Sequence, residues 1–570
     1  MRILLLAHSF NSLTQRMFVE LTARGHELSV ELDINDAVTC EAVALFEPHL
    51  VIAPFLKRAI PEAVWRSHPC LIVHPGIRGD RGPSALDWAI LEDRTSWGIT
   101  VLQAEAEMDA GPVWACADFA MRCATKSSLY RNEVTEAATR AVLEALQRFE
   151  SGAGPLPEAG TDEVAHIGGW RGLCRQSDRA IDWQRDGNPT VLRKIAGADG
   201  TPGVRDILLG REVYLHDAHP APGLAGAPGS ILATSGPAVA VATIDGAIWI
   251  GRLRDPASTH PFKLPATVVL KGAIGSVPEI ERDTDYGYRE ITYEESNGVG
   301  YLHFRFYNGA MGTDACARLR AAYARALERP TKVIVLLGAP DFWSNGMDLN
   351  AIEAAESPAD ESWRNINAID DLAEAIIRTD SHLTVAALQG NAGAGGVFLA
   401  RAADEMWLRT GVILSPHYKD MGNLYGSELW TYLLPRHAGA ENAQRIMAAR
   451  LPMGSSEAVA LGLADARFGA YPAEFLAAVR GRAEALAAAP DWAARLAAKR
   501  RERAAEEGKK PLAAYRAEEL ERMRLNFYGF DPSYHVARYN FVRRVPKSRT
   551  PITIARHRDK RFSLCWRNAS

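Results

Sequence analysis

The sequence predicts a multidomain α/β protein, and three observations carry that prediction. Strand–helix alternation opens the chain and resumes near residue 291, and short strands and turns fill the stretch between the two blocks. Two glycine-bearing strand-to-helix turns, at 342–349 and 389–399, lie in the second block. At 570 residues, 47% apolar and 24% charged, the chain is long enough for about three to four domains, which excludes a single one.

The elements follow in order. The apolar run at 2–7 reads as a buried strand, 13–24 as an amphipathic helix and 26–32 as the next strand, a βαβ opening. Strand 50–53, a helix around 61–68 and strand 70–74 continue it as a doubly wound sheet. No G-x-G-x-x-G follows a strand, so a dinucleotide is not implied. The Gly/Pro/Ala-rich patch at 151–157 reads as a linker, after which the chain reads as all-β to about residue 275. Alternation resumes with strand 300–306, helix 313–328 and strand 332–338. From Pro472 the composition turns rich in Ala, Arg and Glu at helical spacing to about Leu525, and a basic tail with Arg543, Arg544, Lys547, Arg549, Arg556 and Arg558 follows. The domain boundaries expected from these changes are 1–155, 160–275, 285–470 and 471–570.

Composition narrows the function classes. A net charge of −4 gives no polyelectrolyte signature, so nucleic acid is not expected as a partner. The seven cysteines form no C-x-x-C pair and have no closely spaced histidine, which argues against a zinc site or a disulfide framework and predicts buried thiols. The first apolar run is too short for a signal peptide, and no window approaches a membrane span; a cytoplasmic protein is expected.

His74 ends a buried strand and opens a glycine-rich loop, where α/β sheets present chemistry at their carboxyl edge. Asp109 sits in a Met-Asp-Ala-Gly turn between two apolar segments. An imidazole held by a carboxylate is a good general base, because the anion stabilises the imidazolium formed when a nucleophile loses its proton. Residue types alone leave open a structural histidine capped by a turn aspartate. The motif Leu71-Ile-Val-His-Pro-Gly-Ile-Arg-Gly-Asp-Arg-Gly-Pro83, answered by Met108-Asp-Ala-Gly-Pro112, resembles the N10-formyltetrahydrofolate-dependent formyltransferases over about residues 1–150. Ser177-Asp-Arg-Ala-Ile-Asp-Trp183 and Ala227-Pro-Gly-Ser-Ile-Leu232 are similar to that family's C-terminal domain. The resemblance implies a Rossmann-like domain followed by an OB-like β domain. It makes His74 and Asp109 the acid/base pair and puts Pro75, Gly76, Arg78, Gly79 and Gly82 around the pterin. The family's oxyanion-binding asparagine is replaced by Ile72. Losing one such donor costs a factor of about 10²–10³. A thiol acceptor, easily ionised and strongly nucleophilic, would manage with fewer fixed donors.

The two glycine turns lie at helix starts, where backbone amides approach an oxygen closely and the helix dipole favours a developing anion. An ordinary glycine-rich turn is the alternative. With Ala458-Val-Ala-Leu-Gly-Leu-Ala-Asp465 as a closing segment, residues 288–470 resemble the crotonase (enoyl-CoA hydratase/isomerase) superfamily. This implies an oxyanion hole from the N–H groups of Met347 and Gly395. Phe398 stands where the first hydratase glutamate belongs, and no carboxylate stands near Ser415-Pro-His-Tyr418, so water addition is disfavoured. The segment offers His417, Tyr418, Glu428 and Tyr432 instead; 426–432 reads as a helix, which would put Glu428 and Tyr432 on one face at i and i+4.

This order of domains resembles the hydrogenase maturation proteins of the HypX (HoxX) family. The resemblance implies transfer of formyl from N10-formyltetrahydrofolate to coenzyme A, then decarbonylation of formyl-CoA to carbon monoxide for the iron of [NiFe] hydrogenase, with no metal required. Arg131, Arg543 and Arg544 are candidates for the CoA phosphates, against a merely solvated tail. Folate and CoA are the expected small-molecule partners, with transient contacts to hydrogenase maturation proteins. The rival readings are a formyltransferase on another small acceptor beside a crotonase half acting on an unrelated acyl-CoA, and a non-enzymatic maturation scaffold.

Overall fold

The computed structural model describes residues 1–157 and 168–559. The first sheet has the order β2-β1-β3-β4-β5-β6, built from β1 (Arg2–Ala7), β2 (Glu27–Leu32), β3 (Leu50–Phe55), β4 (Cys70–His74), β5 (Ser96–Gln103) and β6 (Val113–Ala120). The strands β1 to β4 pair in parallel, and β5 and β6 add antiparallel. Both faces of β1 are covered, which is why it is a continuous apolar run. Ile3 and Leu5 pack with Leu13 and Met17 of the Ser12–Ala23 helix, whereas Leu4 and Leu6 pack with Ala42, Val43 and Phe46. The last three belong to a helix, Asp36–Phe46, capped by the Asn35 side chain; the sequence reading ran from one strand to the next without it. The helix expected at 61–68 is a single turn, Glu62–Trp65.

The second sheet, β7-β8-β11-β10-β9, consists of β7 (Val204–Leu208), β8 (Arg211–Pro220), β9 (Ile231–Ser235), β10 (Ala238–Thr243) and β11 (Gly246–Arg254), with β12 (Leu264–Pro265) beside β11. This part is not all-β, as the sequence suggested. A ten-residue helix, Asn188–Gly197, buries Val191 and Ile195 against the sheet. Its Gly-Asn-Pro start looks like a turn, but proline in the first helical turn suits a helix, since the missing N–H had no partner to lose.

The third unit carries two sheets. The larger is β13-β14-β15-β17-β19-β22, from β13 (Ile291–Ser296), β14 (Val299–Phe304), β15 (Val333–Leu337), β17 (Leu383–Leu388), β19 (Glu405–Arg409) and β22 (Ala466–Phe468). The smaller is β16-β18-β20-β21, from β16 (Phe342–Ser344), β18 (Asn391–Gly393), β20 (Ile413–Ser415) and β21 (Met453–Gly454). Three times the chain leaves a long strand and enters a short strand of the second sheet. Because β16 and β18 are parallel neighbours, with Ser344 opposite Ala392, the two glycine turns that follow them stand side by side.

The helical extension is longer than the sequence indicated. After Pro472–Ala488, Trp492–Lys509 and Leu512–Tyr528 comes a fourth helix, Ser533–Val542. Phe475, Val479 and Ala483 pack on the large sheet, while Leu512, Met523 and Phe527 enter the core around the second glycine turn. The basic tail is not a free solvated arm. It returns to the edge strand β2, where the Ile554 carbonyl accepts from the Val30 N–H at 2.9 Å. There buried Glu31 accepts from His557 at 2.9 Å and from Arg558 at 2.7 Å. Covering an edge strand in this way removes a row of unpaired backbone groups.

Among the described residues no helix is long and apolar enough to cross a membrane. Cys70, Cys174 and Cys316 are buried as expected, but Cys123 is exposed.

Candidate active sites

The first site forms at the carboxyl end of β4. His74 is buried, and its Nε2 lies 2.9 Å from Asp80 Oδ2, while Nδ1 is 3.6 Å from Asp109 Oδ2. The sequence pairs His74 with Asp109; the nearer carboxylate is that of Asp80, inside the glycine loop. Asp109, itself at φ 54°, accepts from the Gly82 N–H at 3.0 Å, so one side chain both faces the imidazole and tethers the loop. The loop needs its glycines. A Cβ on Gly76 would stand 2.4 Å from His74 Nε2, and one on Gly82, at φ 117°, would stand 2.0 Å from the Arg171 carbonyl oxygen. Pro75 accepts from the Trp97 indole at 2.9 Å, Arg78 donates to the Pro157 carbonyl, and Gly79 takes φ 80°. Ile72 points to the same face of β4 as His74. It packs against the apolar cluster that contains Leu4, Leu6, Val51 and Cys70.

In the second site, the N–H groups of Met347 and Gly395 come together at the ends of β16 and β18. Gly346 takes φ 76°, and a Cβ there would meet the Gly395 nitrogen at 3.7 Å. Among the described residues neither the Met347 nor the Gly395 N–H has an acceptor. The Glu428 carboxylate stands against Gly395, since a Cβ there would lie 2.0 Å from Glu428 Oε1, and it lines the same cavity as Met347. The Tyr418 hydroxyl donates to Glu428 Oε2 at 2.7 Å, and its ring stacks on Phe398 at 5.6 Å. Phe398, at the position of the family's first glutamate, thus serves as the platform for Tyr418. His417 is buried with no partner on Nδ1 among the described residues, and burial holds its pKa below the usual imidazole value. Glu428 is pushed well above the ordinary carboxylate range, first by burial and then by the charge of Asp370.

Residues 426–429 lie outside the helix expected over 426–432, and this corrects the expected pairing of Glu428 with Tyr432. The helix begins at Trp430, and Glu428 and Leu429 are both left-handed, at φ 63° and 58°. The Tyr432 hydroxyl instead donates to Glu506 at 2.7 Å, under the guanidinium of Arg503. It belongs to the packing of the C-terminal helices.

A cavity of about 320 Å³ carries Met347, Gly395, His417, Tyr418 and Glu428 on one side. Phe10 and Gln15 of the first domain, with Lys547 and Ile554 of the tail, form the other. The cavity thus reaches the carboxyl end of β1, in the sheet whose β4 ends in His74.

The basic candidates separate. Arg543 is 3.4 Å from Glu353 and donates to the Thr259 carbonyl at 3.2 Å, so it is committed to the fold. Arg544 has no carboxylate partner among the described residues, and burial lowers its pKa. Arg131 lies 3.4 Å from Asp341 and over the Phe342 ring at 4.6 Å. Lys263, which sequence reasoning missed, donates to the Tyr307 hydroxyl at 2.8 Å. Its pKa is pushed down to about 8 by burial, with Arg544 and Arg131 adding repulsion against the pull of Asp199. Isolated in the sequence, Lys263 carried no signal.

Residues 174–261 match the family described as formyl transferase, C-terminal domain, and residues 295–524 match enoyl-CoA hydratase/isomerase. A methionyl-tRNA formyltransferase of Dechloromonas aromatica is 24% identical over 44% of this chain and 78% of its own length. The hydrogenase maturation factor HoxX of Bradyrhizobium diazoefficiens is 59% identical over 98% of both chains. HypX from Aquifex aeolicus in complex with tetrahydrofolic acid superposes with a TM-score of 0.94 at 50% identity, covering 98% of this chain and 99% of that one. With two such relatives spanning both halves, the chain belongs to the HypX/HoxX family of hydrogenase maturation factors.

Proposed function

We propose that this protein makes carbon monoxide in two steps: formyl transfer from N10-formyltetrahydrofolate to the thiol of CoA at His74, then decarbonylation of formyl-CoA at Glu428. The carbon monoxide is destined for the active-site iron of [NiFe] hydrogenase. The tetrahydrofolate held by the Aquifex relative supports folate at the first site. The observation that carries the reading is the Glu428 carboxylate set against Gly395 in the cavity it shares with Met347, two residues whose N–H groups have no acceptor among the described residues.

In the first step His74 takes the thiol proton while Asp80 and Asp109 stabilise the imidazolium. The thiolate attacks the formyl carbon, the C–N10 bond breaks, and tetrahydrofolate leaves with a proton. In the second step the formyl oxygen accepts from the Met347 and Gly395 N–H groups. Glu428 removes the formyl hydrogen as a proton, its bonding pair stays on carbon, and the C–S pair departs with sulfur. Carbon monoxide and CoA thiolate result, and the thiolate is reprotonated. No electrons are gained or lost overall. The test is to incubate the purified protein with formyltetrahydrofolate and CoA and trap carbon monoxide on a haem reporter. Absence of haem-bound carbon monoxide while both substrates bind would overturn the reading.

The convergence of Lys263, Arg131 and Arg544 supports a site for the CoA phosphates, because cations that repel each other this way gain from a bound anion. Arg131→Ala and Arg544→Ala are each expected to weaken CoA binding about ten- to hundredfold, since a charge-assisted hydrogen bond contributes about 1.5–3 kcal/mol. The salt dependence should flatten. Arg543→Ala should leave affinity within a factor of about two. Calorimetric titration of CoA checks all three, and a larger loss at Arg543 than at Arg544 would move the phosphate site.

A further inference from the structure

Glu428 does not sit on a regular element. Glu428 and Leu429 are consecutive non-glycine residues in the left-handed region, which persists only where the surroundings over-determine it. Two buried carboxylates from distant helices do so. Asp370, in the Pro358–Ile377 helix, accepts from the Ser427 hydroxyl at 2.7 and 2.8 Å and from the Glu428 N–H at 2.8 Å. Glu519, in the Leu512–Tyr528 helix, accepts from the Leu429 N–H at 2.9 Å, the Thr431 N–H at 2.8 Å and the Thr431 hydroxyl at 2.5 Å. Both side chains are fully buried, and neither lines the cavity.

We propose that Asp370 and Glu519 are positioning residues of the decarbonylation centre. They clamp the left-handed turn that aims the Glu428 carboxylate at the paired amides, and Asp370 also holds a negative charge behind it that strengthens it as a base. The proposal rests on Glu428 being the base. Charged and titratable groups surround Glu428 on several elements, and Asp420, Arg450 and Lys547 line the cavity it faces. Tyr418 and His417 lie on the loop after β20, and Cys316 is on the Thr313–Leu327 helix. Asp370 and Asp371 come from the Pro358–Ile377 helix, and Glu519 and Arg516 from the Leu512–Tyr528 helix. Arg516 is taken up mainly by Asp371 at 2.7 Å and Glu374 at 3.1 Å, and stands 3.8 Å from Asp370. Asp370 makes only acceptor contacts with the turn, and burial raises its own carboxyl to about 6, so it carries its charge over most of the range from pH 6 to 9. Burial of Glu428 first, and the Asp370 charge second, push the Glu428 carboxyl upward.

The test uses the full-length protein with formyl-CoA supplied directly and carbon monoxide read on haem between pH 6 and 9. The base works deprotonated, so the rate rises with pH through the Glu428 pKa. Asp370→Asn removes the charge; the acidic limb of the kcat profile should move down by about one pH unit and kcat should fall at least about tenfold, with KM unchanged. Ser427→Ala breaks one strut and leaves the charge, so kcat should fall a few-fold with the limb in place. Glu519→Gln should also lower kcat with less displacement of the limb. A folded Asp370→Asn with the parent's kcat and pH profile overturns the proposal; if that variant does not fold, an unchanged kcat in both Ser427→Ala and Glu519→Gln overturns it. Failure of the underlying reading looks different: Glu428→Gln itself would then release carbon monoxide normally.

Discussion

Glu428→Gln is expected to reduce carbon monoxide release by a factor of about 10³ or more while formyl-CoA accumulates, because the amide keeps the shape of the side chain but cannot take the formyl proton. The first site is untouched, so formyltetrahydrofolate is still consumed until CoA is used up. Tyr418→Phe should cost less, about tenfold, since it removes one hydrogen bond at 2.7 Å to the carboxylate and leaves the stacking on Phe398. Because burial and Asp370 raise the Glu428 pKa, decarbonylation should rise with pH through a midpoint well above that of an ordinary glutamate and fade below it. Rapid-quench separation of formyl-CoA, with haem capture of carbon monoxide, measures both steps. Native carbon monoxide release from Glu428→Gln would pass the role to Tyr418 or His417. If no variant ever accumulated formyl-CoA, the shared intermediate itself would be wrong.

His74→Ala is expected to slow formyl transfer by about 10²–10⁴ without unfolding the chain, the usual range for loss of a proton-transfer group. Asp80→Asn and Asp109→Asn should follow, with Asp80→Asn the more severe, because its carboxylate is 2.9 Å from the imidazole and that of Asp109 is 3.6 Å away. Asp109→Asn also perturbs the Gly82 amide and should raise KM for the folate. The readout is formyltetrahydrofolate consumption with CoA present, with circular dichroism as the folding control. Wild-type consumption by His74→Ala would remove the acid/base assignment. Carbon monoxide formed from added formyl-CoA should be unchanged in all three variants, which separates the two sites.

The two halves of the molecule differ in how much of their chemistry is visible in one dimension. Met347 and Gly395 are legible because an oxyanion hole made of backbone amides demands glycines at a strand-to-helix turn, and glycines are read directly. His74 is legible because it closes an apolar strand before a glycine loop. Asp80 hid in that loop, where no periodicity tells which side chain turns inward. Glu428 was named, but its geometry was not: local spacing favours a helix from Gly426, and that preference loses to Asp370 and Glu519, partners 58 and 90 positions away. The basic tail likewise reads as a charged arm in the sequence, whereas in the fold Glu353 and Glu31 pair with its arginines.

The sequence by itself determined the strand and helix alternation, the two glycine turns and the residue types that do the chemistry, since these depend on short-range periodicity and backbone freedom. Only the tertiary structure decided which carboxylate faces His74, which carboxylates take up Arg131 and Arg543, and that one helix of the crotonase-like domain and one of the C-terminal extension grip the turn bearing Glu428. Those are long-range pairings whose burial and charge compensation leave no trace in local spacing.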